Sequence, residues 1–107
     1  VTPNGQLSSE IHQKGLGSAL TNPYITTDFS ESQIEFVTPA FSDPDKVLDF
    51  LRDLHQFSYE QIGDELLWPS SMPCKLDEKL GIPIASFGKS NEGTFKHVYR
   101  HGLKNRY

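Results

Sequence analysis

The amino-acid sequence predicts an α+β fold in which short strands are followed by two amphipathic helices. β-Branched and aromatic residues are frequent in the first forty positions, whereas apolar residues recur at helical spacing through 43–62 and again from about 92 to 107. A chain of 107 residues can bury one small core. We therefore expect 1–107 to form a single partial domain.

Two segments carry the strand prediction. GLGSAL at 15–20 and YITTDFSESQIEFVTP at 24–39 are separated by Asn22–Pro23, which breaks extended chain. Asn4–Gly5, earlier in the chain, is a strong turn signal. We expect short strands or extended chain in these segments, joined by turns.

The helix predicted over 43–62 has the clearest signals. Ser42 is the expected N-cap and Asp45 stands three residues later, as in a capping box. Gly63 is expected to end the helix. The second helix is predicted from about 92 to 107, after Ser90 or Asn91.

The chain between the two helices is rich in proline and glycine. Trp68, Pro69, Met72 and Pro73 favour an ordered loop, because a large ring and prolines reduce the entropy lost on ordering. The segment 82–86 is expected to be briefly extended at a sheet edge.

The chain has a formal net charge of −4, and its charges are unevenly distributed. Residues 1–88 carry five Lys or Arg and thirteen Asp or Glu, whereas residues 89–107 carry five Lys or Arg and one Glu. The basic segment 89–107 is suited to binding phosphates or carboxylates, or to contact with the acidic remainder of the chain. One short basic cluster does not favour nucleic-acid binding. No apolar run approaches the ~20 residues of a membrane span. Cys74, the only cysteine, cannot form an internal disulfide, so we expect a cytoplasmic protein.

Asp28, Glu31 and Glu35 lie in otherwise strand-forming chain. In a strand over 34–38, Glu35 lies on the face opposite Ile34, where it can line a polar cavity. Carboxylates converging there would suit Mg²⁺ or Mn²⁺. The alternative is that Asp28 begins a turn while Glu31 and Glu35 occupy a solvent face, and spacing alone favours this alternative.

Other candidate residues give weaker signals. His97 and His101 have the four-residue spacing of a zinc pair, but no HExxH glutamate lies between them and a solvated helix face explains them better. His12, His55 and Cys74 receive no role. No phosphate-loop motif or nucleophile elbow occurs.

Beyond these patterns, several long segments of the sequence resemble a known family. GLGSALTNPYITTDFSESQIEFVTP, FLRDLHQF, GDELLWPSSMPC and FGKSNEGTFKHVYRHGLKNRY are similar, in order, to the amino-terminal part of proteobacterial glutamate–cysteine ligase. The resemblance covers most of 15–107. It implies a fragment of a glutamine-synthetase-like funnel of antiparallel sheet.

The resemblance also implies an activity and a set of site residues. The expected enzyme uses ATP to activate the γ-carboxylate of glutamate and joins it to cysteine, which is the first step of glutathione biosynthesis. Glu35 and Asp28 are expected to bind Mg²⁺ or Mn²⁺, Phe29 and Tyr99 to line the cysteine pocket, and Arg100 to bind a substrate carboxylate. The chain begins without methionine and stops within a helical pattern, so we expect the remainder of a longer chain to be its partner and the fragment alone to be inactive.

Two other functions remain compatible with the residues. A related carboxylate–amine ligase would use a different amino-acid acceptor, because acyl-phosphate chemistry does not itself select cysteine. A non-catalytic module would bind an anion through Lys96, Arg100 and Lys104, which recur every four residues.

Overall fold

The computed structural model describes residues 1–77, 79 and 81–85. Over these residues the chain forms a 3₁₀ helix, Lys14–Leu16, the strands β1, Ile25–Thr27, and β2, Ile34–Phe36, and the helix α1, Pro44–Gln61. This part is the α+β arrangement that the sequence predicts. The second predicted helix lies outside the described residues.

Strands β1 and β2 form an antiparallel hairpin. Thr26 stands opposite Glu35 at its centre, and Val37 extends the pairing by donating its N–H to the carbonyl of Tyr24 at 2.9 Å. The connecting turn is closed by the Asp28 N–H, which donates to the carbonyl of Gln33 at 3.0 Å. The hairpin therefore places Asp28 opposite Gln33, two residues before Glu35.

Helix α1 begins one residue later than predicted. Asp43, not Ser42, is the N-cap, since its backbone is extended and its Oδ1 accepts the Asp45 N–H at 3.0 Å. Pro44 then occupies the first helical position, where its fixed φ fits and its missing N–H costs nothing. Gly63, at φ +65°, follows the C-terminal end, as expected.

The predicted strand over 15–20 is wrong. Leu16 ends the 3₁₀ helix and Gly17 follows at φ +82°, a left-handed conformation that favours glycine. The side chain of Asn22 holds this bend: its Nδ2 donates to the carbonyl of Leu16 at 2.8 Å, and its Oδ1 accepts the N–H groups of Tyr24 and Ile25. The turn directs the chain into β1.

One aliphatic cluster joins these elements. Its buried members come from the 3₁₀ helix, β1, α1 and the residue that follows α1: Leu16, Ile25, Leu54 and Ile62. Aromatic edges extend the packing of α1 on the hairpin, with ring centroids 5.2 Å apart for Tyr24–Phe50 and 4.8 Å apart for Phe36–His55. The helix thus supports the hairpin from one side.

The start of the chain ties down the loop that follows α1. Leu7 donates its N–H to the carbonyl of Lys75 at 2.8 Å, and the N–H of Leu66 donates to the carbonyl of Val1 at 2.7 Å. The predicted turn at Asn4–Gly5 is present, with the Gly5 N–H bonded to the carbonyl of Thr2 at 2.9 Å. In the part of the chain that the structure describes, no helix is long and apolar enough to cross a membrane.

Candidate active-site cavity

A cavity of about 710 Å³ opens beside the hairpin. Three stretches supply most of its wall: the segment before the 3₁₀ helix, the turn with β2, and the loop after α1, at 10–13, 30–36 and 65–74. Its volume is in the range of small-molecule sites. The cavity is therefore large enough to take a small-molecule ligand.

Asp28 and Glu35 both line this cavity, and both are exposed. Glu35 is the central residue of β2, whose neighbours Ile34 and Phe36 are half-buried against the aliphatic cluster. The predicted alternation of side chains along this strand is confirmed. Two carboxylates that the sequence only suggested as a pair thus face the same space.

Glu31 differs from both. Only 8% of its surface is exposed, and its Oε1 accepts the backbone N–H of His12 at 2.8 Å. Its own N–H donates to the carbonyl of Pro83 at 3.1 Å. The expectation that Glu31 occupies a solvent face is therefore wrong, because segments distant in sequence cover it.

His12 is a second residue to which the sequence assigned no role. Its ring lines the cavity, and neither ring nitrogen has a hydrogen-bond partner among the described residues, although both are buried. No local pattern signals this position, since the histidine stands alone in a polar stretch. Its placement becomes visible only when 10–13 packs beside the hairpin turn.

The loop wall of the cavity is ordered by its own hydrogen bonds. Trp68 Nε1 donates to the carbonyl of Met72 at 2.7 Å, and the Met72 N–H donates to Ser70 Oγ at 3.2 Å. Cys74, half-buried, ends this part of the wall. These contacts agree with the ordered loop that its tryptophan and prolines predict.

The other predicted site residues are placed less completely. Phe29 is 45% exposed and its carbonyl accepts the Ala85 N–H at 2.9 Å, but it is not among the residues that line the cavity. Tyr99 and Arg100, together with His97 and His101, lie outside the described residues.

The carboxylates of Asp28 and Glu35 have the chemistry that a divalent cation requires. Magnesium prefers hard oxygen ligands and commonly combines one or two carboxylates with water and substrate phosphates. Within 1–77, 79 and 81–85, no group of three or more His, Cys, Asp or Glu side chains is arranged to hold a metal ion. These residues fit part of a magnesium site, so further ligands would have to come from substrate, water or additional protein groups.

Comparison with known proteins identifies the class to which this arrangement belongs. The family described as glutamate-cysteine ligase matches residues 1–107. The chain therefore belongs to the glutamate–cysteine ligase family, as the resemblance of its sequence segments predicted.

Individual relatives agree with this assignment. The chain is 56% identical over its whole length to glutamate–cysteine ligase of Pseudomonas putida and 51% identical to that of Yersinia enterocolitica, and it covers 20% and 21% of those proteins. Among solved structures, it resembles glutamate–cysteine ligase of Francisella tularensis in complex with AMP, with a TM-score of 0.88 and 41% identity over 100% of this chain and 22% of that one. The chain thus spans about a fifth of the length of the relatives it matches.

Proposed function

We propose that this chain is part of an ATP-dependent ligase that joins the γ-carboxylate of L-glutamate to the amine of L-cysteine. The observation that carries the proposal is the match to glutamate–cysteine ligases over all 107 residues, at up to 56% identity. The relative from F. tularensis binds AMP, which supports nucleotide use by this chain as well. The product would be γ-glutamylcysteine, the first intermediate of glutathione biosynthesis.

The reaction brings several negative groups together. ATP phosphorylates the γ-carboxylate, and the amine of cysteine then displaces phosphate from the γ-glutamyl phosphate. Bound Mg²⁺ or Mn²⁺ would neutralise the phosphate oxygens during these steps. Asp28 and Glu35 are the residues of this chain proposed to hold it, and their shared place on the cavity wall supports this assignment.

The remaining substrate contacts follow from the family assignment. Phe29 and Tyr99 are proposed to line the cysteine pocket. Arg100 is proposed to bind a substrate carboxylate, since a guanidinium can donate two parallel hydrogen bonds to one. The hairpin would form part of the wall of a sheet funnel completed by the rest of a longer chain. We infer a cytoplasmic location from the need for ATP and a reduced cysteine substrate.

The proposal is tested with the longer protein that contains this segment. Purified protein is incubated with ATP, Mg²⁺ and glutamate, together with cysteine, serine or 2-aminobutyrate, and products are identified by mass spectrometry. We expect γ-glutamylcysteine, with release of one phosphate per product and the highest kcat/KM for cysteine.

Each other result has a distinct meaning. A higher kcat/KM for serine or 2-aminobutyrate would show a carboxylate–amine ligase with another acceptor. Phosphate release that does not depend on glutamate, with no dipeptide formed, would contradict the ligase assignment.

A further inference from the structure

The turn that carries Asp28 is anchored by Glu31. Asp28 lies just beyond the end of β1, where its backbone bond to Gln33 continues the pairing that holds Glu35 within β2. Glu31, three residues further on, is buried and binds the backbone of His12 through its carboxylate. The turn that carries one carboxylate of the cavity thus contains a buried acid that binds a distant segment of the chain.

The backbone on the other side of the turn is held as well. The N–H of Glu31 donates to the carbonyl of Pro83, and the Ala85 N–H donates to the carbonyl of Phe29 at 2.9 Å. Ser30 pairs with Ile84 as an antiparallel bridge. Among the described contacts, backbone groups bind the turn to 83–85, and the Glu31 carboxylate binds it to the backbone of residue 12.

Of these links, the bond from Glu31 to the His12 N–H is the one that a side-chain substitution removes directly. Glu31 Oε1 is the acceptor of the His12 N–H at 2.8 Å, so the reach of the side chain decides whether this bond forms. Because Glu31 is buried, water does not readily replace its carboxylate as an acceptor. Removing the carboxylate therefore leaves the His12 N–H unsatisfied.

We propose that Glu31 is a positioning residue that sets the distance between the Asp28 and Glu35 carboxylates and thereby tunes divalent-cation binding in the cavity. This inference rests on the proposed function. Groups that orient metal ligands typically change metal affinity by about 10–100-fold when they are removed. The length of the Glu31 side chain is expected to matter more than its charge.

The test compares four variants of the longer protein with the wild type. Glu31→Ala removes the acceptor, Glu31→Asp keeps the charge but withdraws it by one methylene, and Glu31→Gln keeps an oxygen acceptor at the same reach. Glu10→Ala is the matched control, because Glu10 is an exposed carboxylate on the same cavity and its removal changes the charge equally. Mn²⁺ binding is measured by electron paramagnetic resonance without turnover, and the half-saturating Mg²⁺ concentration is measured by activity.

We expect Glu31→Ala and Glu31→Asp to weaken Mn²⁺ binding and raise the half-saturating Mg²⁺ concentration by about 10-fold or more. Glu31→Gln and Glu10→Ala are expected to stay within about threefold of the wild type, since the first keeps the hydrogen bond and the second removes only an exposed charge. Hydrogen exchange of a peptide covering 10–14 should become faster in Glu31→Ala and Glu31→Asp only.

Two results would overturn the inference. One is unchanged Mn²⁺ binding in Glu31→Asp, whether or not its melting temperature falls, since a purely structural role would lower stability alone. The other is a reversed order, with Asp near the wild type and Gln strongly impaired, which would show that charge decides. If Glu31→Ala does not fold, the comparison of Asp with Gln remains decisive. Failure of the ligase proposal would appear separately, as absent dipeptide synthesis by the wild-type protein.

Discussion

At the scale of single residues, three carboxylates in one short stretch meet different environments. Asp28 and Glu35 face a cavity and keep access to solvent, whereas Glu31 is 8% exposed and bonded to backbone. An exposed carboxylate can approach a cation at little desolvation cost, but a buried one must retain its hydrogen bonds. The stretch thus combines candidate metal ligands with a structural acid.

Glu35→Gln should separate a metal ligand from a merely polar strand residue. The substitution keeps the shape of a side chain that lies at the centre of β2, so the hairpin should persist. We expect kcat/KM of the longer protein to fall by about 100-fold or more at fixed Mg²⁺, because the loss of a ligand should exceed the ~10–100-fold effect of outer-shell changes. The measurement is a Mg²⁺ titration of dipeptide synthesis.

Glu10→Gln provides the control for this prediction. It removes one carboxylate from the same cavity without touching the hairpin, and activity should change less than about threefold, since exposed charges interact weakly. If Glu35→Gln behaved like Glu10→Gln in the Mg²⁺ titration, Glu35 would not be a ligand.

The sequence predicted the exposure of Glu35 correctly and that of Glu31 incorrectly, for a physical reason. Alternation along a strand is a local property, and it correctly turned Ile34 and Phe36 towards the core and Glu35 away from them. Burial of Glu31 depends instead on contact with residue 12, 19 positions earlier in the chain. No periodicity encodes such a contact, so the acid was expected in solvent.

At the scale of elements, α1 offers a direct test of its capping residue. Asp43→Ala removes the Oδ1 that accepts the Asp45 N–H and should cost about 1 kcal/mol in local stability. Exchange of the amides in a peptide covering 43–50 should accelerate about fivefold in the longer protein. Mass spectrometry after timed deuterium labelling measures this change.

Ser42→Ala is the matched control, because the sequence alone favours Ser42 as the cap. Its side chain makes no capping bond in the structure, so exchange over the same peptide should remain at the wild-type rate. Faster exchange in Ser42→Ala than in Asp43→Ala would show that the helix begins one residue earlier.

The elements themselves were predictable to different degrees. Eighteen residues of α1 repeat the apolar spacing often enough for its period to be evident, and proline and glycine mark its ends. GLGSAL contains few residues, and its aliphatic side chains favoured a strand. The bend at Gly17 and the three hydrogen bonds of Asn22 decide its conformation, and these depend on how the following strand is placed.

At the scale of the whole molecule, the described residues bury little apolar surface. Five hydrophobic side chains are buried, whereas thirteen large ones, from Ile11 to Ile82, are exposed by 41% or more. Several of these, including Leu66, Trp68 and Met72, line the cavity or its rim. Relatives that are about five times as long have additional chain available to cover such surfaces.

Because of this exposure, the isolated chain 1–107 should lack both cooperative unfolding and ligase activity. A two-stranded sheet is marginal in water, and its open edges favour association between copies. We expect a broad thermal transition by circular dichroism and no γ-glutamylcysteine from ATP, Mg²⁺, glutamate and cysteine, with the longer protein assayed in parallel as the positive control. A sharp, concentration-independent melt would show that the small cluster around Leu54 suffices for folding. Dipeptide formation by 1–107 would show that the Asp28–Glu35 cavity is catalytic without further protein groups.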